Sequence, residues 1–100
     1  MTITENKTPI SIELVITGRL DTGTAPELEV KLKEVAPQTQ TLYLNMKDVQ
    51  YISSSALRVV LLAHKLMLPS GGKMVIKQPS SFCQQVLAAT GMDSILSIES

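Results

Sequence analysis

The sequence predicts an α/β or α+β domain with a mixed β-sheet, and three observations predict it. Apolar residues alternate with polar ones from Ile10 to Ile16, and after Ala25 they recur at helical spacing, so the hydrophobic period switches from strand to helix. The segment from Thr41 to Lys77 reads strand, helix, strand. A βαβ unit of this kind has parallel strands and a right-handed crossover. At 100 residues the chain has room for one domain, residues 1–100. A domain of this size buries somewhat more than ~60% of the surface its unfolded chain exposes, which allows one modest core.

Each element follows from its own residues. Ile10, Ile12, Leu14 and Ile16 alternate with Ser11, Glu13 and Val15, which predicts a strand with one buried face. Thr2 to Glu5 is expected to pair with it across a turn at Lys7 to Pro9. After "TGRLDTG", Ala25, Leu28, Leu32, Val35 and Ala36 share one helical face, while Glu27, Glu29, Lys31, Lys33 and Glu34 stay in water. Thr24 and Glu27 have the spacing of a capping box at its start, and Pro37 ends it. "TLYLNM", Thr41 to Met46, is the second strong strand. A serine-led helix then runs to about Leu68, where Pro69 and the Gly71-Gly72 turn stop it. "KMVIK", Lys73 to Lys77, is a third strand. A last helix, from about Ser80 to Thr90, carries Phe82, Val86 and Ala89 at helical spacing and stops at Gly91.

Composition excludes several function classes. Nine basic and nine acidic residues give a formal net charge of zero, so nothing in the balance draws the chain to nucleic acid or an anionic membrane. A protein partner or a small ligand is the expectation. Cys83 is the only cysteine, which leaves no internal disulfide and no CxxC pair, and fits a reducing cytoplasm. The first ten residues are too polar for a signal peptide, and the longest apolar run, Val59 to Ala63, is far short of the ~20 residues of a membrane span, so no direct membrane insertion is expected.

Three consecutive serines, Ser53 to Ser55, open the middle helix at the carboxyl end of a strand, where α/β sheets place their sites. Serine is a preferred N-cap, and Ser53 or Ser54 fills that role. Three hydroxyls exceed what capping requires. The helix start also presents free N–H groups and the positive end of the macrodipole, a setting that accepts a phosphate on serine. At about 100° per residue, Ala56, Val59, Val60, Ala63, Leu66 and Met67 form the core face. The opposite stripe holds Ser54, Arg58, Leu61, Lys65 and Leu68. Leucines set between basic residues, in line with a hydroxyl, mark either a docking surface or a face covered by a second helix; periodicity weights the two equally.

Catalytic readings fail on geometry. His64 lies ten residues beyond Ser54 in the same helix, nearly three turns or about 15 Å away, so the two cannot form a nucleophile–base pair. No G-x-S-x-G elbow, P-loop or GxGxxG occurs, and a lone histidine assembles no metal site. Asp21 and Asp48 pair only if the fold brings them together, and Cys83 reads as core.

"YISSSALRVVLLAHKLM", preceded by "LYLNMKDV" and followed by "GGKMVIKQPSSFCQQVLAATGMDSIL", resembles the STAS-domain anti-sigma factor antagonists. "GRLDTGTAPELEVKL" matches the family's first strand-to-helix segment, so the likeness runs in register over nearly the whole chain. The resemblance implies a single α/β STAS-like domain, with a mixed sheet of four to five strands and helices packed against it. It also implies a non-enzymatic partner switch with no cofactor and no metal. The unphosphorylated form binds an anti-sigma factor that is usually a serine kinase; phosphorylation releases it, and a serine phosphatase reverses the mark. The family's phosphoacceptor falls on Ser54, with Ser53 and Ser55 as the lesser candidates. Ser53 stands where many members have aspartate, and Ala56 where many have glycine. Asp21 matches a family acid that lies near the acceptor, and Arg58, Leu61, Lys65 and Leu68 are the expected partner-binding residues. A second role implied by the same likeness is that of a non-enzymatic accessory subunit of a lipid-transport ATPase, or a module of a larger signalling assembly.

Overall fold

The computed structural model describes residues 1–100. In chain order the elements are β1 (Thr2–Lys7), β2 (Ser11–Leu20), α1 (Ala25–Val35), β3 (Thr41–Ile52), α2 (Ser54–Met67), β4 (Lys73–Lys77), α3 (Ser81–Thr90) and β5 (Ser97–Glu99). Single turns of 3₁₀ helix follow α1 at Ala36–Gln38 and α3 at Met92–Ser94. The five strands form one sheet in sequence order, β1-β2-β3-β4-β5. β1 is antiparallel to β2 and every other pair is parallel, so the sheet is mixed, as expected.

This order has a consequence for layering. Each of the three crossovers, through α1, α2 and α3, moves one strand further in the same direction. Right-handed connections that all advance the same way deliver all their helices to one face of the sheet. The strand residues facing that layer, among them Ile12, Leu14, Ile16, Leu42, Leu44, Met74 and Ile76, are essentially inaccessible to water. They join Leu28, Leu32, Val60, Ala63, Met67, Cys83 and Leu87 from the helices in one apolar core. The other face carries the alternate residues Glu13, Val15, Thr41 and Tyr43, half exposed, with no helix assigned to it. Its one buried polar residue, Asn45, is satisfied: its amide donates to Glu13 Oε2 at 3.0 Å and Gln78 Oε1 at 3.2 Å, and its carbonyl accepts from the Lys47 N–H at 3.1 Å.

The expectations for α1, the βαβ unit and the Ala56 to Met67 core face hold, with Leu66 only half buried. Five details differ. Ile10 is 70% exposed, because the strand begins at Ser11 and Ile10 sits in a turn closed by Thr8, whose Oγ1 accepts from the Ser11 N–H at 2.9 Å. β3 does not end at Met46 but continues to Ile52. The alternation breaks at Lys47 and Asp48 because the register with β2 shifts there, and beyond the irregularity Val49 and Ile52 re-enter the core. The Thr24–Glu27 capping box does not form: the Thr24 hydroxyl donates to the Arg19 carbonyl at 2.9 Å and accepts from the Asp21 N–H at 2.9 Å, so it makes no cap bond. In α3 the buried residues are Cys83 and Leu87, while Phe82 and Ala89 are exposed and Val86 is half buried, because it is the Cys83–Leu87 side of the helix that joins the common core. The short edge strand β5 carries no signal of its own; all three of its residues are exposed.

Gly72 sits where the α2–β4 turn presses on the chain before β3. A Cβ there would lie 2.6 Å from the Gln40 carbonyl oxygen and 2.9 Å from Met67 Cε. Because the nearer obstacle is backbone, Gly72→Ala is expected to destabilise the fold by about 1–3 kcal/mol, read as a lower urea midpoint at unchanged slope.

Candidate functional site

β2 and β3 are parallel neighbours, so both release their chains at the same end of the sheet, one into the loop before α1 and the other into α2. Two hydrogen bonds tie these exits together. The Ser53 N–H donates to the Leu20 carbonyl at 2.8 Å, and the hydroxyls of Thr22 and Ser55 lie 3.3 Å apart.

The three serines consequently have three different situations. Ser53 is the N-cap, in extended backbone, and its Oγ accepts from the Ala56 N–H at 3.1 Å. Ser55 is half buried and engaged with Thr22. Ser54, the first residue of α2, is exposed and its hydroxyl makes no hydrogen bond within the protein. Of the three, only Ser54 presents a free oxygen to a visiting molecule.

Asp21 lies in the facing loop and folds its carboxylate back on that loop. Its Oδ1 accepts from the N–H groups of Gly23 at 3.0 Å and Thr24 at 3.1 Å, and its Oδ2 stands 3.9 Å from Arg19 Nε. The Thr24 N–H above all, then the Thr24 hydroxyl, the Gly23 N–H and the Arg19 charge, hold Asp21 below the usual carboxylate range against the opposing effect of desolvation. Asp48 pairs across the sheet with Thr17, four residues back along β2, so the two aspartates form no carboxylate pair.

On α2, Arg58 and Lys65 are exposed, and Leu68, which caps the helix, is 56% exposed. Leu61 is half buried and packs partly against the core. α1 lies along the flank of α2, where Ala25, Pro26 and Glu29 face Ser55, Arg58 and Val59 across a shallow cleft. The stripe is thus bordered by α1 and left open.

Sequence reasoning missed a neighbouring array. Arg19 lies over the Tyr51 ring, 4.3 Å from its centroid, and Tyr51 meets Phe82 at 5.7 Å between centroids with planes tilted by 35°. Arg19 and Tyr51 are cross-strand partners in the β2–β3 register, so no local pattern could link them. Phe82, which is exposed, was the one available signal, and helical spacing grouped it with Val86 and Ala89 instead. Cys83 is buried as expected, and burial pushes its thiol up, which leaves it a packing residue.

A mixed sheet with its helices on one face and a serine-led helix beside the first crossover loop now meets the comparison with known proteins. A family model for the STAS domain matches residues 2–100. The chain belongs to the STAS domain family. This STAS domain is 31% identical over 87 residues to the anti-sigma-B factor antagonist of Bacillus subtilis (strain 168), covering 87% of this chain and 80% of the relative. It shares the fold of SpoIIAA, an anti-sigma factor antagonist, in its unphosphorylated form, with a TM-score of 0.84 at 17% identity over 99% of this chain and 89% of the other. The phosphorylated form of SpoIIAA, a Bacillus cell fate determinant, superposes with a TM-score of 0.77 at 17% identity, over 99% of this chain and 92% of the other. No helix of this STAS domain is long and apolar enough to cross a membrane.

Two outcomes follow from the geometry. Ser53→Ala removes a cap and is expected to cost about 1 kcal/mol, whereas Ser54→Ala stays within about 0.5 kcal/mol of the parent, both read by chemical denaturation. A folded-state pKa below the unfolded one means that Asp21 adds stability above its unfolded pKa and loses it as pH falls through the folded value. Asp21→Asn therefore flattens the acid limb of a stability–pH profile; an unchanged limb would show that the loop bonds do not bias its protonation.

Proposed function

We propose that this chain is an anti-sigma factor antagonist that binds an anti-sigma factor while the Ser54 hydroxyl is free and lets go when that hydroxyl is phosphorylated. The reading rests on one observation: Ser54 alone among the three serines is exposed and uncommitted, at the head of an open stripe of Arg58, Leu61, Lys65 and Leu68. The names of its relatives supply the class of partner. SpoIIAA, which shares the fold, exists in both an unphosphorylated and a phosphorylated form.

The chemistry is carried by the partner. In a serine kinase, Ser54 Oγ attacks the γ-phosphorus of a nucleoside triphosphate. The new O–P bond replaces the β–γ bridging bond, the nucleoside diphosphate leaves, and the hydroxyl proton passes to the kinase's base or to water. A serine phosphatase adds water across the O–P bond and returns serine and orthophosphate. The chain is substrate in both steps and catalyst in neither, and as a regulator of transcription it works in the cytoplasm.

A phosphate brings about 1.5 to 2 negative charges to Ser54. A partner surface that fits a neutral hydroxyl and the cationic stripe then faces an anion it must desolvate, and release needs no change of shape in the antagonist. The Asp21 loop is held by its own N–H groups and is tied to the start of α2 through Leu20 and Thr22, which supports Asp21 as a fixed feature for the kinase to read.

Ser54→Asp is expected to weaken binding to the anti-sigma factor by about tenfold or more, and Ser54→Ala to keep binding while abolishing the ATP-dependent mass gain of one phosphate. Equal affinities for the two variants, by calorimetry against the purified anti-sigma factor, would count against the switch. Retention of a transport-ATPase subunit in its place would favour the accessory role.

A further inference from the structure

We propose that the phosphate on Ser54 is captured by Arg58 of the same helix, so that phosphorylation withdraws a cation from the docking stripe as well as adding an anion to it. The inference rests on the reading of Ser54 as the phosphoacceptor and adds the residue that receives its charge.

Ser54 and Arg58 are four residues apart on α2 and both are exposed. Side chains at this spacing are neighbours on a helix surface, about 5–6 Å apart at Cβ, and the pair is favourable when the anion lies on the N-terminal side, as here. The guanidinium presents a fork of N–H donors that matches a phosphate in a two-point contact, which an ammonium does not.

The surrounding charges leave Arg58 available. The chain has two arginines, and Arg19 is occupied by the Tyr51 ring and the Asp21 carboxylate. Glu29 faces Arg58 across the α1–α2 cleft but is held by Lys33 at 2.9 Å. Asp21 turns its Oδ1 to the N–H groups of its own loop and its Oδ2 towards Arg19. None of the five ion pairs in the molecule includes Arg58. It is a free cation one turn below a free hydroxyl, and Glu29, the carboxylate lining its cleft, is already paired with Lys33. Once the phosphoryl group is in place, capture makes and breaks no covalent bond; water and counterions leave the phosphate and the guanidinium as the two join. The pair is then close to neutral towards a partner's acidic groups, and Lys65 is left as the stripe's remaining cation.

The test uses the full chain with phosphoserine built in at position 54 during translation, so that no kinase is needed. Phosphorus NMR follows the second ionisation of the phosphate at low salt in the parent, Arg58→Gln and Arg58→Lys, with circular dichroism checking that each folds. The macrodipole of α2 acts equally in all three, so their differences isolate residue 58. The parent is expected to ionise about half a pH unit below Arg58→Gln, Arg58→Lys to fall between them, and roughly molar salt to erase the gap. Superimposed titrations of the parent and Arg58→Gln overturn the capture. Should Ser54 instead prove not to be the residue modified by the native kinase, mass mapping of the unmodified chain shows it separately, and the titration still decides whether Arg58 holds a phosphate there.

Discussion

The parallel pairing of β2 with β3 is the constraint on which the rest depends. Parallel neighbours end at the same side of the sheet, so the loop leaving β2 and the helix leaving β3 begin side by side. The bond from the Ser53 N–H to the Leu20 carbonyl extends that pairing by one rung past the strands. It fixes where α2 starts, and with it the direction in which each serine hydroxyl points. An antiparallel pair would have sent the Asp21 loop to the opposite end of the molecule and left the serines without a neighbour.

From that one rung comes the division of roles among three chemically identical residues. Ser53 spends its oxygen on the free N–H of Ala56, and Ser55 is turned towards Thr22. Ser54 is left between two occupied hydroxyls with nothing to bond inside the protein. The two neighbours hold the backbone, so the middle side chain is presented on a rigid helix start. A group presented this way can be recognised, and marked, without the order of the fold being disturbed.

Electrostatics in this molecule are local. A chain with a net charge of zero has no long-range field to steer a partner, so recognition rests on short-range arrangements at one end of the sheet. There the acids are neutralised by nearby donors: Asp21 by its loop and Arg19, Glu29 by Lys33. At the far edge, Glu5 of β1 is paired with Lys31 at 2.7 Å, which lowers its pKa and covers part of an otherwise open strand. A polar, charged edge at β1 and a three-residue strand at β5 leave the sheet poor templates for pairing with another chain.

The sequence by itself determined the single α/β unit, the apolar faces of α1 and α2, the parallel βαβ segment and the three hydroxyls at a helix start. All of these are local: a period of two or 3.6 residues and a capping preference act within a few residues of one another. Only the tertiary structure decided which serine is free, since the bond from the Ser53 N–H to Leu20 sets Ser53 at the cap position and Thr22 engages the Ser55 hydroxyl, both partners more than thirty positions earlier. The same holds for the continuation of β3 to Ile52, which needs the register shift against β2, and for the face α3 buries, which the rest of the core chooses. It holds again for the Arg19, Tyr51 and Phe82 array, three residues from separate elements that meet only because β2 and β3 lie in register. Local physics writes the elements; the pairing of distant backbone groups decides which of their side chains are left for a partner.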